Sequence, residues 1–222
     1  MLEKGWIYNM IKEIKTKLSS FEIFTIFRNE ENSFILDSAM DKKKLGRFSF
    51  ISSNPFKVLK YKNTLNNPLD NLQEELKKYK VENKTHLPFI GGAVGYLSYD
   101  LGNYIEKLPR TAIDDTNVYD LYFGLYNWVI VVDHLENKTY IATPDLDIEE
   151  ENIQAEKIDI ETNLTLWETV QNLSQPYRTV ITLFYYEDMS IKEISKITGN
   201  STDTIKKQLS RGREKIKEVI KI

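Results

Sequence analysis

Residues 164–222 constrain the fold of this chain more than any other stretch, because their apolar residues recur at helical spacing between recognisable caps. Ser190 followed three residues later by Glu193 is the pattern of a capping box. Gly199 can end that helix as a left-handed C-terminal residue, and Ser201 can serve as the N-cap of the next helix. The segment is predicted to form four short helices, the last two of which make a helix-turn-helix.

The final helix combines an apolar stripe with a polar face that is rich in basic residues; the stripe consists of Ile205, Leu209, Ile216 and Ile220. Hydroxyl side chains near the start of a recognition helix can meet base edges, while Lys and Arg can meet phosphates or guanine. The predicted DNA-binding residues are Ser201, Thr202, Thr204, Lys206, Lys207, Ser210, Arg211 and Arg213. The alternative is a solvated basic face on an ordinary helical hairpin, and the two-helix spacing with its glycine turn favours DNA binding.

This segment resembles region 4 of sigma-70-type transcription initiation factors, especially the extracytoplasmic-function group. The resemblance rests on Leu173, Pro176, Arg178, Val180, Tyr186, Ser190, Glu193, Ile194, Gly199, Ser201, Thr204, Ile205, Lys206 and residues 209–213. It implies that the helix-turn-helix contacts double-stranded promoter DNA and that the segment contacts the β-flap of RNA polymerase. The chain departs from that family in showing no region 2, which melts the promoter and grips the polymerase core, so full initiation activity is not implied.

The N-terminal part has a different pattern, in which strand-like runs alternate with turn residues. An amphipathic helix is predicted over Pro68–Lys80. The predicted strands are Phe21–Arg28, Ser33–Leu36, Phe48–Ser52, Phe56–Tyr61, one long strand over Leu121–Asp133 and a returning strand over Thr139–Thr143. The predicted fold class is therefore an α+β N-terminal domain, a mainly antiparallel sheet with helices, followed by a small all-α helix-turn-helix domain.

Several segments of this part resemble the N-terminal domain of anthranilate synthase component I and aminodeoxychorismate synthase component I. They are residues 34–39, 46–51 and 88–100, with Glu106, residues 108–109 and residues 133–134. The resemblance is nearer to the aminodeoxychorismate type, but the two synthases share this domain and the choice between them stays open. In that family an acidic residue followed by serine helps to bind tryptophan, which makes Asp37 and Ser38 the candidate tryptophan-binding residues. The alternative role for this pair is a turn cap.

The chain is expected to lack enzyme activity. In the synthase family the chorismate site, its magnesium carboxylates and the catalytic residues lie in a large C-terminal domain, and the resemblance ends before that domain would begin. No catalytic residue, metal site or cofactor is predicted, because His86 and His134 lack metal-ligand spacing and the acidic pair 114–115 has no visible partner. Glycines 91, 92 and 95 are expected to permit close sheet packing, since no P-loop Lys-Ser/Thr follows them.

Composition and charge fit two modules. The chain has no cysteine, which excludes disulfides and thiol catalysis. No run is apolar enough to span a membrane and no signal-peptide pattern begins the chain, so a cytoplasmic location is expected. Residues 164–222 carry 10 Lys and Arg against 7 Asp and Glu, a net charge of +3 within a chain of net charge −3. This contrast fits a C-terminal module that faces nucleic acid.

The predicted organisation is an unmatched extension over residues 1–9, a synthase-like domain over 10–144, an acidic linker over 145–163 and the sigma-like domain over 164–222. Three interpretations of function stay open. The first is a DNA-binding, transcription-related protein, which the completeness of the helical module favours. The second is a fragment of a synthase component without its catalytic domain, and the third is a chimera without an evolved joint function.

Overall fold

A computed structural model describes residues 10–38, 46–108, 114–144, 146 and 160–220. The chain divides into two compact units, Met1–Lys157 and Ile158–Ile222. The predicted extension, residues 1–9, lies outside the described residues, as do residues 145 and 147–159 of the predicted linker. Within that linker, Ile160 is already the first residue of a helix.

The first unit contains two antiparallel sheets. One has five strands in the order β1-β8-β7-β3-β2, and the other has three in the order β4-β6-β5. The strands are β1 Met10–Ile14, β2 Phe34–Leu36, β3 Phe48–Ser52, β4 Lys57–Tyr61, β5 Gly92–Leu97, β6 Leu121–Tyr126, β7 Val129–Asp133 and β8 Lys138–Thr143. The helices are α1 Ser20–Phe27 and α2 Pro68–Lys78, with a short 3-10 helix over Tyr99–Tyr104. The predicted α+β class is confirmed for this unit.

The prediction of a strand over Phe21–Arg28 is wrong, because this stretch forms helix α1. Ser19 caps the helix: its hydroxyl accepts from the backbone N–H of Glu22, and the Glu22 carboxylate accepts from the backbone N–H of Ser19. Ile23 and Phe27, one helical turn apart, are fully buried. The capping box and this buried pair outweigh the strand preference of the aromatic and β-branched residues.

The prediction of one long strand over Leu121–Asp133 is also wrong. The run divides at Asn127 and Trp128 into β6 and β7. Strand β6 pairs with β4 and β5, whereas β7 pairs with β3 and β8, so the chain passes from one sheet to the other at this point. The predicted hairpin that follows is present, with Val129–Asp133 paired to Lys138–Thr143.

The glycines of β5 and the loop before it serve close packing, as predicted. A Cβ on Gly95 would lie 2.0 Å from the carbonyl oxygen of Tyr122 on the neighbouring strand. Gly91 has a φ of +139°, and a Cβ there would lie 2.8 Å from a ring carbon of Pro144. Neither position has room for a side chain.

The second unit consists of four helices: α3 Ile160–Gln171, α4 Gln175–Tyr185, α5 Ile191–Thr198 and α6 Thr202–Ile220. The predicted four-helix arrangement is therefore confirmed. Its core contains the buried side chains Val170, Val180, Ile181, Ile194, Ile205 and Leu209, contributed by all four helices. Gly212 of α6 lets α4 come close, since a Cβ there would lie 3.0 Å from Ile181. Because Ile205 and Leu209 of α6 are buried in this core, the opposite, polar face of α6 points towards solvent.

Candidate functional site

The turn between α5 and α6 is held by local hydrogen bonds. Ser190 and Glu193 form the predicted capping box at the start of α5. Gly199 follows α5 with a φ of +69°, the left-handed conformation predicted for it. Ser201 then caps α6, because its hydroxyl accepts from the backbone N–H of Thr204 at 3.2 Å. The three-residue connection and its caps give the geometry of a helix-turn-helix.

Seven of the eight predicted DNA-binding side chains lie on α6, and the eighth, Ser201, directly precedes the helix as its cap. All are exposed except Thr204, which is half-buried, whereas Ile205 and Leu209 on the opposite side are buried. Four of them make no side-chain hydrogen bond or ion pair with another described residue: Thr202, Lys207, Ser210 and Arg211. These four can therefore reach a ligand without breaking an internal contact.

The other four predicted residues are engaged within the unit. The hydroxyls of Ser201 and Thr204 hydrogen-bond each other at 2.9 Å as part of the helix cap. The ammonium group of Lys206 lies 3.7 Å from the carboxylate of Asp203. The guanidinium of Arg213 lies 5.7 Å from the ring centre of Tyr185 on α4, a cation–π contact.

Two features of this face were not predicted from the sequence. The ammonium group of Lys215 lies 5.8 Å from the ring centre of Tyr177, so α4 holds two basic side chains of α6 through its tyrosines. Asp203 adds a carboxylate, 82% exposed, within the basic face. Helical spacing places Lys215 and Asp203 on the surface of α6, but the tyrosine contacts depend on how α4 packs and leave no local signal.

In the first unit, Asp37 directly follows β2 and is exposed. Its Oδ1 accepts hydrogen bonds from the hydroxyls of Ser20 and Ser49, both at 2.7 Å. These bonds lower the pKa of Asp37 below its ordinary value, with the Ser20 bond as the largest cause. The backbone N–H of Ser38 donates to the Ser49 hydroxyl at 3.2 Å. Asp37 is thus an exposed carboxylate held in place as an anion.

Asp133, at the end of β7, has a structural role. It is 1% exposed and accepts hydrogen bonds from the Arg47 guanidinium at 2.7 to 3.1 Å and from the backbone N–H groups of Leu135 and Glu136. Burial opposes ionisation, but these hydrogen bonds outweigh it and hold the pKa of Asp133 below its ordinary value. Asp133 therefore fixes the turn that carries His134.

Among the residues that the structure describes, no group of three or more His, Asp and Glu side chains is arranged to hold a metal ion. Asp114 of the acidic pair is exposed and ion-paired with Lys62. His86 is exposed and lies with its ring edge-on to Tyr140, at 5.4 Å between centroids. Asp114 and His86 are therefore exposed residues with local surface contacts.

A family model for sigma-70, region 4 matches residues 163–216. A family model for chorismate binding enzyme matches residues 31–186, more than two thirds of the chain. The chain belongs to the chorismate binding enzyme family. The two matches overlap over residues 163–186, which form most of α3 and all of α4. Both resemblances drawn from the sequence are confirmed, and it is the match to sigma-70, region 4 that suggests DNA binding by the helices α3 to α6.

Curated relatives bear out the synthase likeness. Anthranilate synthase component 1 of Acetivibrio thermocellus is 35% identical over 146 residues, which cover 58% of this chain and 28% of the relative. Aminodeoxychorismate synthase component 1 of Salmonella typhimurium is 44% identical over 73 residues, which cover 32% of this chain and 16% of the relative. The chain thus spans less than a third of the length of these relatives.

A crystal structure of anthranilate synthase component I from Streptococcus pneumoniae matches 74% of this chain and 38% of that one, with a TM-score of 0.44 and 20% identity.

In the described part of the chain, every helix is too short or too polar to cross a lipid bilayer.

Proposed function

We propose that this protein is a DNA-binding, transcription-related protein that contacts promoter DNA through α6. The observation that carries the proposal is the polar face of α6, where exposed Lys207, Ser210 and Arg211 lie opposite a buried stripe and make no side-chain hydrogen bond or ion pair with the described part of the chain. Lys and Arg on such a face meet phosphates and guanine, and short hydroxyls meet base edges. The match to sigma-70, region 4 supports the same role.

In this proposal the functional module is residues 164–222, joined by the acidic segment 145–163 to a synthase-like domain over 10–144. The β-flap of RNA polymerase is a second partner that the region 4 likeness implies. A cytoplasmic location follows from such partners. Binding to DNA is expected to be modest, because the module has a net charge of only +3.

The test is fluorescence anisotropy of the full chain with a labelled promoter-like duplex. We expect a dissociation constant of about 10⁻⁴ to 10⁻⁶ M, the range of binding dominated by phosphate contacts. Replacing Lys206, Lys207, Arg211 and Arg213 with Ala should abolish most of this binding. Unchanged affinity in the quadruple variant would show that α6 does not read DNA.

Two further measurements sharpen this result. Lys217→Ala is the matched control, because it removes the same charge from the same helix about 15 Å from Lys207. It should weaken binding less than Lys207→Ala does. A pull-down with the isolated polymerase β-flap distinguishes the second partner: capture of the flap without binding of the duplex would make the polymerase, and not DNA, the partner of this module.

A second candidate function is the binding of an amine, with tryptophan as the ligand that the synthase likeness implies. The observation that favours it is Asp37, an exposed carboxylate held as an anion by two serine hydroxyls. A carboxylate of this kind can pair with the ammonium group of an amino acid. Calorimetric titration of the full chain with L-tryptophan tests it, and Asp37→Asn and Ser38→Ala are the first variants to compare.

The remaining interpretation is a synthase fragment or a chimera without a joint function. The short coverage of the synthase relatives is compatible with it, because most of each relative has no counterpart here. It predicts that neither DNA nor tryptophan binds, and the two titrations above therefore decide between it and the two candidate functions.

A further inference from the structure

Two tyrosines of α4 contact basic side chains in the C-terminal half of α6. The guanidinium of Arg213 lies 5.7 Å from the ring centre of Tyr185, and the ammonium group of Lys215 lies 5.8 Å from that of Tyr177. Arg213, Lys215 and Tyr185 are exposed, whereas Tyr177 is half-buried. Neither cation forms an ion pair with a carboxylate in the described part of the chain, so both can still meet an anion.

The packing of α4 against α6 brings these groups together. Gly212 is buried where the two helices meet, and a Cβ there would lie 3.0 Å from Ile181 and 3.7 Å from the Cβ of Tyr177. This close approach lets the rings of α4 reach the residues that follow Gly212. Because two residues turn an α-helix by about 200°, Arg213 and Lys215 lie on opposite sides of α6. Helix α4 therefore contacts one cation on each flank of α6.

Each of these cations continues a row of predicted DNA-binding residues. Arg213 follows Lys206 by seven residues, and Lys215 follows Arg211 by four, which are spacings that return to the same side of a helix. An α-helix with its side chains is about 10–12 Å wide and the major groove is about 12 Å wide. The two flanks of a helix in that groove therefore face the two sugar–phosphate backbones.

The position of the two cations along α6 favours phosphates over base edges. They lie about 16 to 20 Å from the start of the helix, at a rise of about 1.5 Å per residue. In helix-turn-helix proteins it is the N-terminal residues of the recognition helix that contact base edges. Arg and Lys further along such a helix can meet the phosphates that border the groove.

We propose that Arg213 and Lys215 contact phosphates on the two opposite strands of the duplex, and that Tyr185 and Tyr177 are their positioning residues. This inference rests on the proposed binding of DNA by α6. A contact with an aromatic ring uses no N–H donor, so both cations keep their donors for phosphate oxygens. The contact also restricts a long side chain before DNA arrives, which reduces the conformational entropy lost on binding.

The first test is fluorescence anisotropy of the full chain with one labelled promoter-like duplex over a series of salt concentrations. Lys215→Ala should lower the slope of log K against log salt by about 0.9, and should weaken binding about fivefold at about 0.15 M salt. Lys217→Ala is the matched control, because Lys217 is an exposed lysine of the same helix without a ring contact among the described residues. It should lower the slope less than Lys215→Ala does.

A double-mutant cycle tests whether Tyr185 acts through Arg213. Tyr185→Leu keeps an apolar side chain but has no ring, and should weaken binding about two- to threefold through the added cost of ordering Arg213. Tyr185→Phe keeps the ring and should bind as wild type does. In an Arg213→Ala background, Tyr185→Leu should have no further effect, because the cation that it positions is gone. Tyr177→Leu should behave in the same way in a Lys215→Ala background.

A thermal melt shows whether each variant is folded, and the exposed positions Tyr185 and Lys215 carry the decision if Tyr177→Leu unfolds. Two results would each overturn the inference and leave DNA binding by α6 standing: equal salt slopes for Lys215→Ala and Lys217→Ala, or an equal effect of Tyr185→Leu with and without Arg213. Absence of duplex binding by folded wild-type protein would overturn the proposed function and the inference together.

Discussion

Replacement of Asp133 by asparagine should destabilise the first unit, because Asp133 is a buried anion with several donors around it. Its carboxylate accepts from the Arg47 guanidinium and from two backbone N–H groups of the following turn. Asparagine keeps the shape and one acceptor oxygen for the turn. It places an NH₂ group against the guanidinium, where a donor meets a donor.

The magnitude follows from burial. Breaking a fully buried ion pair costs about 3–5 kcal/mol. The Arg47 side chain is 37% exposed, so water partly replaces its lost partner. We therefore expect the free energy of unfolding of the first unit to fall by about 2–3 kcal/mol, less than for a fully buried pair.

The effect should depend on pH. The pKa of Asp133 is lowered from its ordinary value of 3.8. A lowered pKa means that the stabilisation is fully present above the ordinary value and is lost as the pH falls through the lowered one. The difference between wild type and Asp133→Asn should be complete at about pH 7 and should shrink below about pH 4.

Urea denaturation followed by fluorescence measures this in a Trp6→Phe and Trp167→Phe background, where buried Trp128 is the remaining one of the chain's three tryptophans and reports on the first unit. Asp114→Asn is the control: Asp114 is an exposed aspartate with an ion pair to Lys62, and its loss should leave stability nearly unchanged. If Asp133→Asn unfolds within about 0.5 kcal/mol of wild type at neutral pH, the ion pair does not stabilise the fold as argued.

Three further predictions concern other parts of the chain. Ser190→Ala should destabilise α5 by about 1 kcal/mol through loss of its capping box, seen as faster amide hydrogen exchange across Ile191–Thr198; unchanged exchange would contradict the role of the cap. Gly95→Ala should destabilise the first unit by more than about 3 kcal/mol, because the new Cβ would collide with backbone atoms of the neighbouring strand. Gly199→Ala should destabilise the second unit by only about 1 kcal/mol, because the space around Gly199 is open and the cost comes from its φ of +69°. Equal thermal shifts in the two variants would be evidence against this packing argument. The purified chain should not convert chorismate with ammonia or with a glutamine-hydrolysing partner, and product above a no-enzyme control would refute this.

The helical unit was predictable because its signals are local. The capping box at Ser190, the left-handed Gly199 and the N-cap Ser201 each act within one helical turn, and the structure has all three. The same kind of signal was present at Ser19 and Glu22, yet the aromatic and β-branched composition of the following residues suggested a strand. The strand prediction from composition was wrong there, because strand preference depends on packing against neighbouring strands, which the sequence of one segment does not show.

The candidate sites were only partly accessible from sequence. The polar face of α6 follows from helical periodicity, and Asp37 follows from the synthase likeness. The partners of Asp37 do not, because Ser20 is 17 positions away and Ser49 is 12 positions away. The division of Leu121–Asp133 between two sheets is likewise a matter of strand pairing, which links residues far apart in the chain.

The dependence of DNA affinity on salt tests the central claim most directly, because contacts between α6 and phosphates release counterions from the duplex. The measurement compares the full chain with a variant in which Lys206, Lys207 and Arg211 are alanine, using one duplex over a series of salt concentrations. Each lost phosphate contact should reduce the slope of log K against log salt by about 0.9, so the variant's slope should be lower by about 2 to 3. An equal slope in both proteins would contradict DNA binding through this face of α6.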